Sequence, residues 1–162
     1  TIDDGSCLIF GCSDPLADNY NEDATECEDG SMDNCCEYTI PLQVSFGTVD
    51  SNNSTMEIYI VIPEYENTSD YVYGFQFNIE GVTLGQASGG LAEEAGFTVS
   101  TGGSTIIGFS LSGDYIGQGE GILTIVEFNA VDSQACFDLG TGAFSNQNSQ
   151  PIPVDFGDCH DF

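Results

Sequence analysis

Thr55-Met56-Glu57-Ile58-Tyr59-Ile60-Val61-Ile62 is the stretch on which the architecture of this chain turns. Met56, Ile58, Ile60 and Ile62 fall on one side of an extended backbone, and Thr55, Glu57 and Tyr59 on the other, which is the period of two that a half-buried strand requires. The same alternation recurs around it. Tyr71, Tyr73, Phe75, Phe77 and Ile79 oppose Val72, Gly74, Gln76, Asn78 and Glu80. Leu42, Val44 and Phe46 form a shorter set, as do Ile107, Phe109 and Leu111, and Val126 with Phe128. Short alternating runs separated by glycine, serine and asparagine predict an all-β chain from about Thr39 onward, with two sheets closing over these side chains as a sandwich. Only Gly90-Leu91-Ala92-Glu93-Glu94-Ala95-Gly96 reads as helical, and its bounding glycines limit it to about one turn at a connection.

Residues 1–39 have a different chemistry. They carry 11 of the 27 acidic residues, five of the seven cysteines and few large apolar side chains, so this stretch builds no core of its own and needs disulfides, ions or neighbours. The expected division is therefore an acidic, cysteine-rich segment, 1–39, and a sandwich, 40–162.

Charge narrows the function classes. Lysine and arginine are absent and the net charge is −27, so no ion pair to either residue exists within the chain. Nucleic acids and anionic membranes are held by basic side chains, and neither is an expected partner. Soluble partners should be neutral or cationic, and bound cations would relieve a self-repulsion that salt screens only over about 8 Å. Avoidance of trypsin-like proteases explains the missing bases equally well. Seven cysteines point to an oxidising, extracellular setting. Thr1 in place of an initiator methionine, without a leader peptide, suggests a processed or partial chain. The longest apolar run in the strands, Ile58 to Ile62, is far short of the roughly 20 residues that span a bilayer.

Gly11-Cys12-Ser13-Asp14-Pro15-Leu16-Ala17-Asp18-Asn19-Tyr20-Asn21-Glu22-Asp23-Ala24-Thr25, continuing through Asp29-Gly30-Ser31 to Cys36-Glu37-Tyr38, resembles a cysteine repeat of secreted and surface proteins of aquatic bacteria. Its form is GC-x-D-P-x-A-x-N-Y, closing on D-G-S-C-x-Y. Here the closing part is longer than in that repeat and holds two additional cysteines, Cys27 and Cys35, which leaves the pairing open. Asp3-Asp4-Gly5-Ser6-Cys7 is similar to the tail of a preceding repeat. If Cys12 pairs with Cys36 and Cys27 with Cys35, Cys7 is left over, for a partner upstream, in another chain, or in some other pairing. Asp14, Asn19, Asn21, Asp23, Asp29 and Asp33 supply oxygen ligands at short spacing around Gly30, the donor chemistry of calcium, although their order is not that of an EF-hand. The bland reading of the same residues is a solvated acidic loop with Asx turns.

A second resemblance covers residues 40–159. Val72 to Val82 with Gly74-Phe75-Gln76-Phe77, then Glu93 to Val99, Ile107 to Gly113, Gly119-Glu120-Gly121-Ile122-Leu123 and the closing Gly157-Asp158-Cys159 look like a cohesin-type domain. That resemblance implies a jelly-roll sandwich, related to carbohydrate-binding modules, with a binding or scaffolding role; fold alone assigns no particular partner. Cys136 and Cys159 would staple the penultimate strand to the C-terminal segment. Asn52, Asn53 and Asn67 head N-glycosylation sequons in polar loops beside the Met56 strand, although such short motifs also arise by chance.

A catalytic set is hard to assemble. His160 is the single histidine and reads as an exposed tail residue. Asp114 with Glu120, or Glu93 with Glu94, could be cast as a glycosidase pair, which needs carboxylates about 5 to 9 Å apart. No tryptophan offers a sugar platform, and the expectation is a protein that is not an enzyme. Two functional readings follow. The first is a structural subunit of an extracellular assembly, a filament or surface layer, joined through the acidic segment or by a strand passed between subunits. The alternative is a recognition module of a larger surface protein, binding protein or glycan on one sheet face near Tyr59, Tyr65 or Tyr115, although loop or strand packing is the favoured reading of these tyrosines.

Overall fold

The computed structural model describes residues 9–15, 17–28, 35–37 and 40–162. The chain falls into two compact units, Thr1–Ile40 and Pro41–Phe162.

The larger unit begins with β1 (Leu42–Asp50) and β2 (Thr55–Ile62), followed by β3 (Gly74–Glu80) and β4 (Val82–Ser88). A short helix α1 (Gly90–Glu94) leads into β5 (Thr98–Gly102) and β6 (Thr105–Phe109). Two long strands, β7 (Gly119–Ala130) and β8 (Gln134–Ser145), precede the short β9 (Pro151–Ile152), β10 (Val154–Phe156) and β11 (His160–Asp161). One sheet has the order β10-β1-β2-β7-β4, the other β11-β8-β3-β6-β5, with β9 added against β8. This is a two-sheet jelly-roll sandwich. All pairings are antiparallel except β1 with β10, where the chain returns alongside its own first strand.

Burial in β2 alternates without a break, and Met56, Ile58, Ile60 and Ile62 are all fully or almost fully buried. Phe75, Phe77 and Ile79 answer from β3 in the opposite sheet, and Phe144 of β8 stacks on Phe77 at 5.6 Å between ring centroids. Leu42 and Val44 complete the layer from β1. In β7 the alternation slips where Ile58 pairs with Thr124 but Tyr59 with Ile122. Leu123 is the additional residue of that bulge, so Leu123 and Thr124 are both buried, and the Thr124 hydroxyl is satisfied by donating to the Ser88 carbonyl at 3.4 Å.

Three sequence expectations give way here. Ile107, Phe109 and Leu111 do not face the core; Ile106 and Gly108 do, leaving Ile107 39 %, Phe109 40 % and Leu111 87 % exposed. The reason lies across the sheet. The Phe75 ring fills the space over Gly108, where an added Cβ would lie 2.1 Å from Phe75 Cζ, so the face with the smaller side chains turns inward because a neighbouring strand supplies the volume. Tyr71 and Tyr73 precede β3 instead of extending it; Tyr71 is buried as the alternation predicts, but Val72 is fully buried too, exchanging backbone hydrogen bonds with Ile116. His160 is a strand residue paired with Ala135, its ring set edge-on to Phe46 and Phe162, and is no loose tail.

Cys136 and Cys159 are bonded, with Cα atoms 4.4 Å apart, which ties β8 to the residue preceding β11. Three short strands follow β8, so it is not the penultimate strand.

Among the described residues of the smaller unit there are two isolated parallel bridges, Phe10 with Glu26 and Cys12 with Tyr20. Disulfides join Cys12 to Cys36 and Cys27 to Cys35, and Cys12 and Cys27 are buried. Cys7 lies outside the described residues.

Candidate functional site

Among the described residues of the sandwich, two features bear on function. The first is the outer face of the β8-β3-β6-β5 sheet. Register places Ser145, Gly74, Phe109 and Thr98 in one cross-strand row, and Ala143, Gln76, Ile107 and Ser100 in the next. Neither row contains a carboxylate, and both centre on an exposed apolar side chain. Leu111 stands just beyond, in the connection from β6 to β7. Further along the same face the character turns polar, with Thr105 donating to Asn78 at 2.7 Å and Asn78 to Asp138 at 3.5 Å.

The second feature is a shallow cleft of about 490 Å³ lined by Tyr73, Glu94, Ala95, Gly96, Gly113, Asp114 and Tyr115. Three chain segments meet there: the approach to β3, the turn after α1, and the β6–β7 connection. Tyr115 stacks on Tyr71 with centroids 5.8 Å apart and leans on Tyr73 at 5.4 Å, so its ring is positioned by two others. Asp114 is set by Ser110, whose hydroxyl donates to its carboxylate at 3.2 Å while accepting the Asp114 backbone N–H at 3.1 Å. Gly96 closes the turn after α1 with φ +75°, and an added Cβ would lie only 3.4 Å from the Asp114 carboxylate. Glu93 turns away to accept the Gly89 backbone N–H, whereas Glu94 lines the cleft.

The residues singled out in the sequence are thus partly regrouped. Asp114 shares the cleft with Glu94, while Glu120 sits on β7 beside Tyr59, and Glu93 serves the helix start. Neither of the two carboxylate pairs weighed from the sequence lines this cleft as a pair. Tyr115 lines the cleft, Tyr65 packs on Tyr71 at 5.5 Å, and Tyr59 lies on the outer side of β2. Sequence reading singles out Glu94, Asp114 and Tyr115 one by one but does not group them, because the residues of the cleft lie on separate segments.

Of the oxygen donors in the smaller unit, Asn19 is tied to the segment around Cys36, donating to the Cys35 carbonyl at 2.6 Å and accepting the Glu37 backbone N–H at 2.9 Å. Asn21 accepts the Asp23 backbone N–H at 3.1 Å, an Asx turn. Asp14 follows Cys12, whose sulfur accepts its backbone N–H at 3.4 Å. Asp29 and Asp33 lie outside the described residues. Among the described residues no three histidine, cysteine, aspartate or glutamate side chains gather closely enough to hold a metal ion. The sequon residues Asn52, Asn53 and Asn67 are exposed, with Asn53 donating to Asp50 at 2.6 Å and Asn67 to Asp70 at 3.3 Å. Among the described residues no helix is long and apolar enough to cross a membrane.

Partial burial pushes the Tyr65 phenol up to about 12, with Tyr71 and Asp70 adding to the effect. The folded state therefore holds that proton more tightly than the unfolded chain, whose phenol titrates near its ordinary value of 10.0. This contribution to stability is complete below pH 10 and is lost as pH rises towards 12. A melting temperature that falls over this window, with a shallower fall in Tyr65→Phe, is expected; equal slopes in the two proteins would dismiss the assignment.

No family model matches the sequence, and no curated protein matches it. Similar solved structures include the seventh ScaB type I cohesin from Pseudobacteroides cellulosolvens, at 14 % identity and a TM-score of 0.48, covering 72 % of this chain and 88 % of that one. A non-cellulosomal cohesin from the hyperthermophilic archaeon Archaeoglobus fulgidus is similar at 12 % identity and a TM-score of 0.48, covering 72 % of this chain and 86 % of that one.

Proposed function

We propose that this sandwich is a non-enzymatic, extracellular protein-binding module that contributes to a larger assembly through the outer face of its β8-β3-β6-β5 sheet. The observation that carries the reading is the exposed pair Ile107 and Phe109, continued by Leu111, on a surface whose two cross-strand rows around them lack carboxylates in a chain of charge −27. Elsewhere a charge of this size keeps the surface solvated and repels other acidic molecules; here an apolar partner surface is accepted without burying charge. Three disulfides suit an oxidising compartment.

A second copy of the chain and a different protein are the two candidate occupants. Every copy carries −27, so approach of like copies is opposed over the whole surface, and the proposal is a different protein, neutral or basic around an apolar centre. A photo-crosslinking phenylalanine analogue in place of Ile107 tests this in the secreted material of the source. One distinct cross-linked protein, absent when the analogue replaces Glu57 on the opposite sheet, is the expected result. Cross-links to the chain itself would turn the reading into that of a filament subunit, and equal labelling from both positions would remove it.

Calcium in the smaller unit belongs to the same proposal. Asp14, Asp23, Asp29 and Asp33 are hard oxygen donors of one acidic stretch of sequence, and the chain has no lysine or arginine to neutralise them.

A further inference from the structure

From the cleft beside the apolar row we infer a site for an arginine side chain of the partner protein. The inference rests on the proposed binding role of the sheet face, to which Leu111 connects it: β6 ends at Phe109, and the chain runs through Leu111 to Gly113, Asp114 and Tyr115 of the cleft lining. The chemistry of the lining is that of a guanidinium receptor. Two carboxylates, Glu94 and Asp114, come from different segments, and two phenol rings, Tyr73 and Tyr115, stand beside them. A planar cation gains both from parallel hydrogen bonds to carboxylate oxygens and from contact with aromatic faces, whereas a lysine ammonium gains little from the planarity. The site is also preorganised. Ser110 holds Asp114, Gly96 and Gly113 keep the rim low, and Tyr115 is braced by Tyr71 and Tyr73. Within the chain nothing competes for it, because the sequence contains neither arginine nor lysine. The same fact requires the arginine to come from outside these 162 residues.

The probe is N-acetyl-arginine amide, titrated into the full chain and followed by amide and tyrosine-ring NMR shifts, with N-acetyl-citrulline amide as its neutral counterpart. Saturable shifts at Gly96, Gly113 and Tyr115 are expected, with a Kd on the order of millimolar, weakened about tenfold or more for citrulline and for Glu94→Gln/Asp114→Asn. Tyr115→Leu, which keeps both carboxylates, should weaken binding by several-fold. Shifts scattered over the acidic surface and unchanged in Glu94→Gln/Asp114→Asn would show general counter-ion binding and overturn the inference. So would equal shifts from arginine and citrulline. A neutral glucose tetrasaccharide that moves Tyr115 where arginine does not would overturn it in favour of a glycan site. The probe does not touch the sheet face, so a cleft indifferent to arginine leaves the protein-binding reading standing, and cross-linking that fails at Ile107 leaves the arginine result intact.

Discussion

A single methyl group added at Gly108 is expected to destabilise the sandwich by about 3 kcal/mol and to lower its melting temperature on the order of 10 °C. The added Cβ would lie 2.1 Å from Cζ, 2.4 Å from Cε1 and 2.7 Å from Cε2 of Phe75. An exposed ring would swing aside. Phe75 is 3 % exposed and packed among Phe77, Phe97 and Phe144, with centroid distances of 6.0, 6.1 and 5.8 Å, so moving it displaces the centre of the core. Gly108→Ala, followed by thermal and denaturant unfolding, measures the cost. Phe75→Leu shortens the ring that causes the clash, and the double variant should lose less than the sum of the two single changes by about 1 kcal/mol or more. Strict additivity would show that Gly108 matters for some reason other than the space taken by Phe75.

The second large effect concerns the smaller unit. With its apolar content so low, the Cys12–Cys36 and Cys27–Cys35 bonds restrict the unfolded chain in place of a core. Closing loops of 24 and 8 residues in sequence separation contributes about 3.5 and about 2.5 kcal/mol in the chain-entropy model. Cys12→Ser/Cys36→Ser is therefore expected to unfold this unit at ambient temperature while the sandwich, with its own core, stays folded. Trypsin cannot report the change, since the chain has no lysine or arginine. A glutamate-specific protease can: cleavage after Glu22 and Glu26 should become fast in the double variant and remain slow in the oxidised protein. Calcium chelation of the oxidised protein should raise cleavage at the same bonds to a lesser degree. Indifference of the protease to the double substitution would mean that the unit is held by something other than its disulfides, and indifference to chelation would remove calcium from the account.

Local pattern carried much of the architecture. The unbroken alternation of Met56, Ile58, Ile60 and Ile62 against Thr55, Glu57 and Tyr59 is a property of neighbouring residues, and it specifies both a strand and its buried face wherever one face is plainly more apolar. Phe75, Phe77 and Ile79 were legible for the same reason. Charge, being a sum over the chain, was equally available, as was the concentration of cysteines before residue 40. β6 marks where this reasoning stops. Ile107 and Phe109 outweigh Ile106 and Gly108 in apolar surface, so the strand taken alone points its heavier side inward. Only the Phe75 ring arriving from β3 reverses that choice, because space in a close-packed core is allotted jointly and no strand holds the information by itself. The reversal puts Ile107 and Phe109 on the outer face, where the binding surface is proposed. The cleft is tertiary in the same sense: Tyr73, Glu94 and the adjacent pair Asp114-Tyr115 come from three separate segments, and no spacing along the chain encodes the meeting of the three. Periodicity and charge are written residue by residue and sum along the chain, whereas occupied volume and the meeting of distant loops exist only once the two sheets have closed.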